Sequence, residues 1–163
     1  MNEKIEALLA NAEGRYLEAT EQSVMTDFAF TLEQRLRAMR SIQQHEANVV
    51  KATMDALWEK YPDMKTRHVD GYKKGTRDLT LVLRYNALAM VRDSVEFLDQ
   101  KLLFWFRTII SAFEMNEPLQ FAYQQLSREL QNHLDGEDFK LVEPFISRTL
   151  EILASGEERA AAE

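Results

Sequence analysis

Six apolar residues, Val24, Phe28, Leu32, Leu36, Met39 and Ile42, follow one another at spacings of three or four. That period lines them along one side of an α-helix, opposite a face of Glu, Gln and Arg. Such a helix is stable only when its apolar stripe lies on other elements, and the rest of the chain offers more helices of the same kind. Five Gly and three Pro are few interruptions for 163 residues. Strong helix formers, Glu, Gln, Leu, Ala and Arg, fill the remainder. The fold class read from this pattern is all-α. A chain of this length makes one ordinary domain with a proper core.

Along the chain, residues 3–13 read as a short amphipathic helix with Ile5, Leu8, Leu9 and Ala12 on one face, ended by Gly14. A second helix starts after Thr20 as N-cap and carries the stripe above. A third runs over residues 46–60, burying Val49 or Val50 with Thr53, Leu57, Trp58 and Tyr61, and Pro62 ends it. Residues 62–74 read as the longest irregular segment. A central helix follows over residues 73–90, with Leu79, Val82, Leu83, Leu88 and Met90 on a broad apolar side. Asp93 and Glu96 form a capping box for the next helix. That helix is apolar on every side at residues 102–106, which places it in the core or under a partner. Trp105 is expected in the core, with contact to a partner or a bound ligand as the other reading. Asn116 caps a helix with Pro118 in its first turn, and its stripe is Leu119, Ala122, Tyr123, Leu126, Leu130 and Leu134. Asp135 and Gly136 turn the chain into a last helix, strongest over residues 144–153. The tail from Ala154 is expected to fray.

The head of the central helix carries the charged group of interest. Lys73 and Lys74 precede Gly75, and Arg77 and Asp78 fall in the first turn. Asp complements the positive end of a helix. Arg does not, so the pair is either a solvated turn or the edge of an anion-holding pocket.

Arg77-Asp78, followed by Leu83-Arg84-Tyr85 and Ala89-Met90, resembles the central helix of the phycobiliproteins, the light-harvesting proteins of cyanobacterial phycobilisomes. In that family the segment reads roughly Cys-x-Arg-Asp, then Leu-Arg-Tyr and a Tyr-Ala pair. The Cys carries a linear tetrapyrrole by a thioether, the Asp holds the pyrrole nitrogens, and the Arg and a neighbouring Lys hold propionates. The resemblance extends over nearly the whole chain. Asn11-Ala12-Glu13-Gly14-Arg15-Tyr16-Leu17 is similar to the family's opening segment. Arg35-Leu36-Arg37 and Val50-Lys51 are similar to its second and third helices, and Leu57-Trp58-Glu59-Lys60-Tyr61-Pro62-Asp63 to the close of the third. It implies a globin-like helical bundle with a short N-terminal helical pair. The domain it implies covers residues 1–153, with residues 1–17 as an association helix and 154–163 as a flexible tail.

The departures cluster around the pigment. Gly75 stands where the family has its Cys, and the chain contains no cysteine, so no thioether can form. Phe104 and Trp105 replace a small pair and are expected to fill space otherwise left open. Lys74, Arg77, Asp78 and Arg84 are retained as candidate non-covalent bilin contacts, with a purely structural role as the alternative. For subunit pairing, the positions matching the family's Asp, Arg and Tyr are Asn11, Arg84 and Leu88. With Ile5, Leu8 and Leu9 these form the expected association surface. The resemblance implies homo- or hetero-oligomers formed through the N-terminal helices.

Other chemistry finds no support. The three histidines, His45, His68 and His133, show no i, i+3 or i, i+4 pair of the kind a helical metal site uses. No metal is expected, and each reads as a surface residue in preference to a haem ligand. Ser23, Ser41, Ser94 and Ser111 lack a nucleophile-elbow context. No glycine loop for phosphate is present. A formal net charge of −7 argues against nucleic acid. The N-terminus shows no signal-peptide pattern. The apolar run at residues 102–110 contains Arg107 and is short of the ~20 residues of a membrane span.

The reading that results is a non-enzymatic phycobilisome or photosynthetic component without covalent bilin, acting in assembly, linkage or regulation through helical surfaces. Its expected location is the cytoplasm, at or near the cytoplasmic face of the thylakoid. The first alternative is an antenna or carrier protein that holds a bilin non-covalently. The second is a globin-like sensor.

Overall fold

The structure is a computed structural model that describes residues 2–67, 70–112 and 115–154. His68 and the tail beyond Ala154 lie outside the described residues. Helices α1 (Glu3–Asn11), α2 (Ala19–Lys60), α3 (Met64–Arg67) and α4 (Gly71–Arg92) come first. Then follow α5 (Val95–Leu98), a π-helical stretch (Asp99–Leu103), α6 (Phe104–Ser111), α7 (Asn116–His133) and α8 (Gly136–Ala154). The described residues contain no strand. The architecture is the expected all-α, globin-like bundle.

The expected second and third helices are one helix of 42 residues. Residues 43–46, between the two expected helices, contain no Gly or Pro, so nothing there stops the helix. Helix α2 packs mainly on α4 and α7, and α7 packs on α8. The stripe is covered progressively inward: Ile42 is buried, Leu36 and Met39 are half-buried, and Val24 is exposed. Val49 and Val50 are both buried.

The caps also differ from expectation. Glu18, not Thr20, is the N-cap of α2, with the Glu18 amide donating to Glu21 Oε2 at 2.8 Å. Arg15 clamps the Glu21 carboxylate with two bonds of 2.8 Å. Arg15 and the Glu18 amide hold the Glu21 carboxyl down at about 2. Gly14, at φ +82°, makes the left-handed turn between α1 and α2 that its lack of Cβ permits. Asp93 does not start a capping box. It closes α4 in a left-handed conformation, φ 55°, and Ser94 caps α5 by accepting from the Phe97 amide at 2.9 Å. Asn116 is the first residue of α7, and Met115 holds the cap position. Most of the expected irregular segment is helical, because α3 occupies Met64–Arg67 and α4 begins at Gly71.

Buried Leu83, Leu98, Leu102, Leu103, Leu126 and Leu130 form the centre of the core. Two polar links bind α8 into it. Thr149 donates to Asn86 Oδ1 at 3.1 Å inside the core, and Arg148 grips both Asp99 oxygens at 3.0 and 2.8 Å. Thr149 and Asn86 are fully buried, and such polar groups are tolerated because each has its partner.

The expectation that Trp105 lies in the core is overturned. Trp105 is 43% exposed and Phe104 54%. The π-helical stretch just before them has wider turns, so it shifts the helical phase. Leu102, Leu103 and Phe106 turn inward, while Phe104 and Trp105 turn outward. The Trp105 indole donates to the Lys101 carbonyl at 2.6 Å. Trp105→Ala is therefore expected to cost about 1 kcal/mol in denaturant melts, the scale of a surface change. A loss of about 3 kcal/mol or more would return the ring to the core.

Candidate functional site

A cavity of about 480 Å3 lies at the head of α4. Helix α2 supplies Met54, Leu57 and Trp58 to its wall, α3 supplies Met64, and α6 supplies Phe106, Ile109 and Ile110. Met115 with Leu119, Ala122 and Tyr123 of α7 closes the remaining side. Helix α4 contributes Gly71, Lys74, Gly75, Asp78 and Leu79. The wall is thus mostly apolar, with an ammonium, a carboxylate and a phenol set into it. The volume falls within the roughly 300–1,000 Å3 usual for small-molecule sites.

Three of the sequence-derived residues meet here: Lys74, Gly75 and Asp78. Arg77 does not line the cavity but reaches it through Asp78, donating from Nε and Nη2 to Asp78 Oδ1 at 3.0 and 2.9 Å. Asp78 Oδ2 accepts no bond from the described residues, so one carboxylate oxygen is available to a ligand. Arg84 lies apart. It makes a bidentate pair with Glu46 of α2 at 2.8 and 2.7 Å. Phe104 and Trp105 do not enter the cavity, so they do not fill the space as the sequence suggested.

Gly75 is in direct reach of α2. A Cβ built there would stand 2.8 Å from Met54 Cε and 3.2 Å from Met54 Sδ. The fully buried Met54 thioether thus occupies the space in front of Gly75. Tyr123, nearly fully buried, was read from sequence only as part of an apolar stripe. Burial, and then the Asp78 charge, push its hydroxyl well above the ordinary range. It therefore stays protonated and can donate a hydrogen bond. The sequence signal for it is thin: a buried Tyr needs a polar partner or a polar cavity.

Of the expected association residues, Ile5 is fully buried against its own chain and Leu8 is half-buried. Leu9, Asn11 and Leu88 are exposed. Helix α1 folds back on the end of α4: Asn2 Nδ2 donates to Asp93 Oδ2 at 2.9 Å, and Ser94 donates to Glu3.

A family model described as phycobilisome protein matches residues 7–153. The chain belongs to the phycobilisome protein family. Among curated proteins it is similar to an allophycocyanin subunit beta-18 of Pyropia yezoensis, 25% identical over 157 residues. That match covers 89% of this chain and 93% of the relative. It is also similar to a phycobiliprotein beta chain of Mastigocladus laminosus, 27% identical over 113 residues, covering 63% of this chain and 65% of that one. Members of this family are structural light-harvesting proteins and not enzymes. Family members carry bilins, and this one has no cysteine with which to bond one. Among the described residues no helix is long and apolar enough to cross a membrane.

Proposed function

We propose that this phycobiliprotein takes up a linear tetrapyrrole non-covalently in the cavity at the head of α4, serving as an antenna or carrier component of the phycobilisome. The observation that carries the reading is the cavity itself. It remains, although Met54 covers Gly75, because the rings expected to fill it turn away, and its polar groups suit the ligand. Asp78 Oδ2 is an acceptor for pyrrole N–H groups, Lys74 a cation for a propionate, and the Tyr123 hydroxyl a donor for a lactam carbonyl. The apolar walls exclude water, which strengthens each of these contacts. A bound bilin would supply absorption of visible light. The same reading puts the protein in the cytoplasm, near the thylakoid face.

Binding without a thioether depends on pocket contacts alone. Titrating the purified chain with biliverdin is expected to give a saturable shift in absorption at micromolar pigment. Asp78→Ala should weaken it by about tenfold or more, about 1.4 kcal/mol. Denaturation should release all pigment. Saturable binding that is absent up to high micromolar pigment would defeat the proposal.

A second reading, pigment-free assembly through helical surfaces, has its own support at the outer end of α2. There Phe30 is 77% exposed and Val24 41%. Single apolar residues on a surface are common, so this reading ranks second. It becomes the first if the titration fails.

A further inference from the structure

Two of the three histidines, distant in sequence, meet between α2 and α7. The rings of His45 and His133 stand with centroids 5.7 Å apart, tilted by 55°. Each ring is anchored the same way. His45 Nδ1 lies 2.9 Å from the Ser41 carbonyl oxygen, and His133 Nδ1 lies 2.8 Å from that of Glu129. A carbonyl oxygen can only accept, so Nδ1 carries the proton in both rings. In the neutral imidazole the Nε2 lone pair is then the available one. Neither Nε2 has a hydrogen-bond partner among the described residues.

This is how a protein prepares histidines for a metal: the outer nitrogen is held by a carbonyl, which fixes the tautomer and the ring plane. A carboxylate stands near as well. Glu129 Oε2 is 3.8 Å from His133 Nδ1, while Gln125 holds Oε1 at 2.8 Å. Two imidazoles sharing one ion at about 2.0–2.1 Å per bond have centroids about 5–6 Å apart. The observed centroid separation lies in that range.

We infer that His45 and His133 together form a two-histidine site for a divalent transition-metal ion of the class that favours imidazole, such as Zn2+. Among the described residues no group of three or more His, Cys, Asp or Glu could hold a metal. The pair would therefore leave an ion's remaining positions to solvent. Its effect is to clip α2 to α7, the helices that carry Met54 and Tyr123 on facing walls of the cavity. The spacing test applied to the sequence could not find it, because that test sees only ligands on one helix.

The test uses the full-length, untagged, metal-free protein titrated with Zn2+ alone in a calorimeter at about pH 7.5, above the ordinary histidine range. One ion per chain is expected, saturating at micromolar concentration. His45→Gln or His133→Gln should each weaken binding about tenfold or more, and His68→Gln should leave it unchanged. In the unaltered protein, nitrogen-15 spectra should show the Nε2 signals of His45 and His133 moving together as Zn2+ is added. This second readout does not depend on any variant folding. Binding that survives both substitutions, shifts confined to His68, or no saturable heat would overturn the site.

Discussion

Leu83→Ala is expected to remove about 3–5 kcal/mol of stability. Leu83 sits on α4, fully buried, where that helix packs on α2 and α8. Truncation loses the transfer free energy of the side chain and leaves a void that helices on both sides restrain from closing. For a chain of this size each kcal/mol lowers the melting temperature by about 2–4 °C. A fall of about 6–20 °C should therefore appear in a thermal scan. The same scan on Trp105→Ala should show only a small change, although the tryptophan is the larger residue. If the two variants melted alike, the phase shift assigned to the π-helical stretch would be wrong.

Arg35→Ala should cost about 2–4 kcal/mol, an unusual loss for an arginine. Arg35 is only 4% exposed. Its guanidinium donates to the Val91 carbonyl at 2.6 Å, to the Phe28 carbonyl at 2.8 Å and to Thr31 Oγ1 at 3.1 Å. It also lies 4.4 Å over the Phe28 ring. The Val91 carbonyl is one of the orphans at the C-terminal end of α4, where a cation also complements the helix dipole. Burial lowers the guanidinium's pKa, and the Asp93 charge opposes that shift. Removing the side chain leaves carbonyls without donors and frees the outer part of α2 from the end of α4. Arg35→Lys keeps the charge but cannot reach several carbonyls at once, so it should recover only part of the loss. Urea melts of the three proteins test this. Equal stability of Arg35→Ala and the unaltered chain would refute it.

The helices were legible because their stripes follow a helical period and because Pro62, Gly14 and the Asp135-Gly136 turn interrupt them. What was not legible has identifiable causes. The apolar stripe ends at Ile42 and resumes at Val49, which reads as two helices, although no Gly or Pro lies between them to stop one. Asp93 was read as a cap from its spacing to Glu96, but closing α4 requires a left-handed residue there, and the cap moves to Ser94. Trp105 was assigned to the core because an ideal helix leaves no outward side at residues 102–106; a π-helical turn supplies one.

The candidate site divides the same way. Lys74, Gly75 and Asp78 share a helix face and were found together. Arg84 was grouped with them by family position, and its partner proves to be Glu46. Met54 is unmarked in the sequence and Tyr123 reads only as part of a stripe, because a cavity wall is assembled from several helices and no spacing along the chain records it.

The unbroken course of α2 has a mechanical meaning. At 1.5 Å per residue its 42 residues make a rod about 63 Å long. Its outer end displays Val24 and Phe30, and its inner end holds Met54, Leu57 and Trp58 against the cavity. A tilt of one degree about the midpoint moves either end by about half an ångström. No loop lies between the two ends to absorb that motion, so a load at Phe30 is felt at Trp58 as leverage.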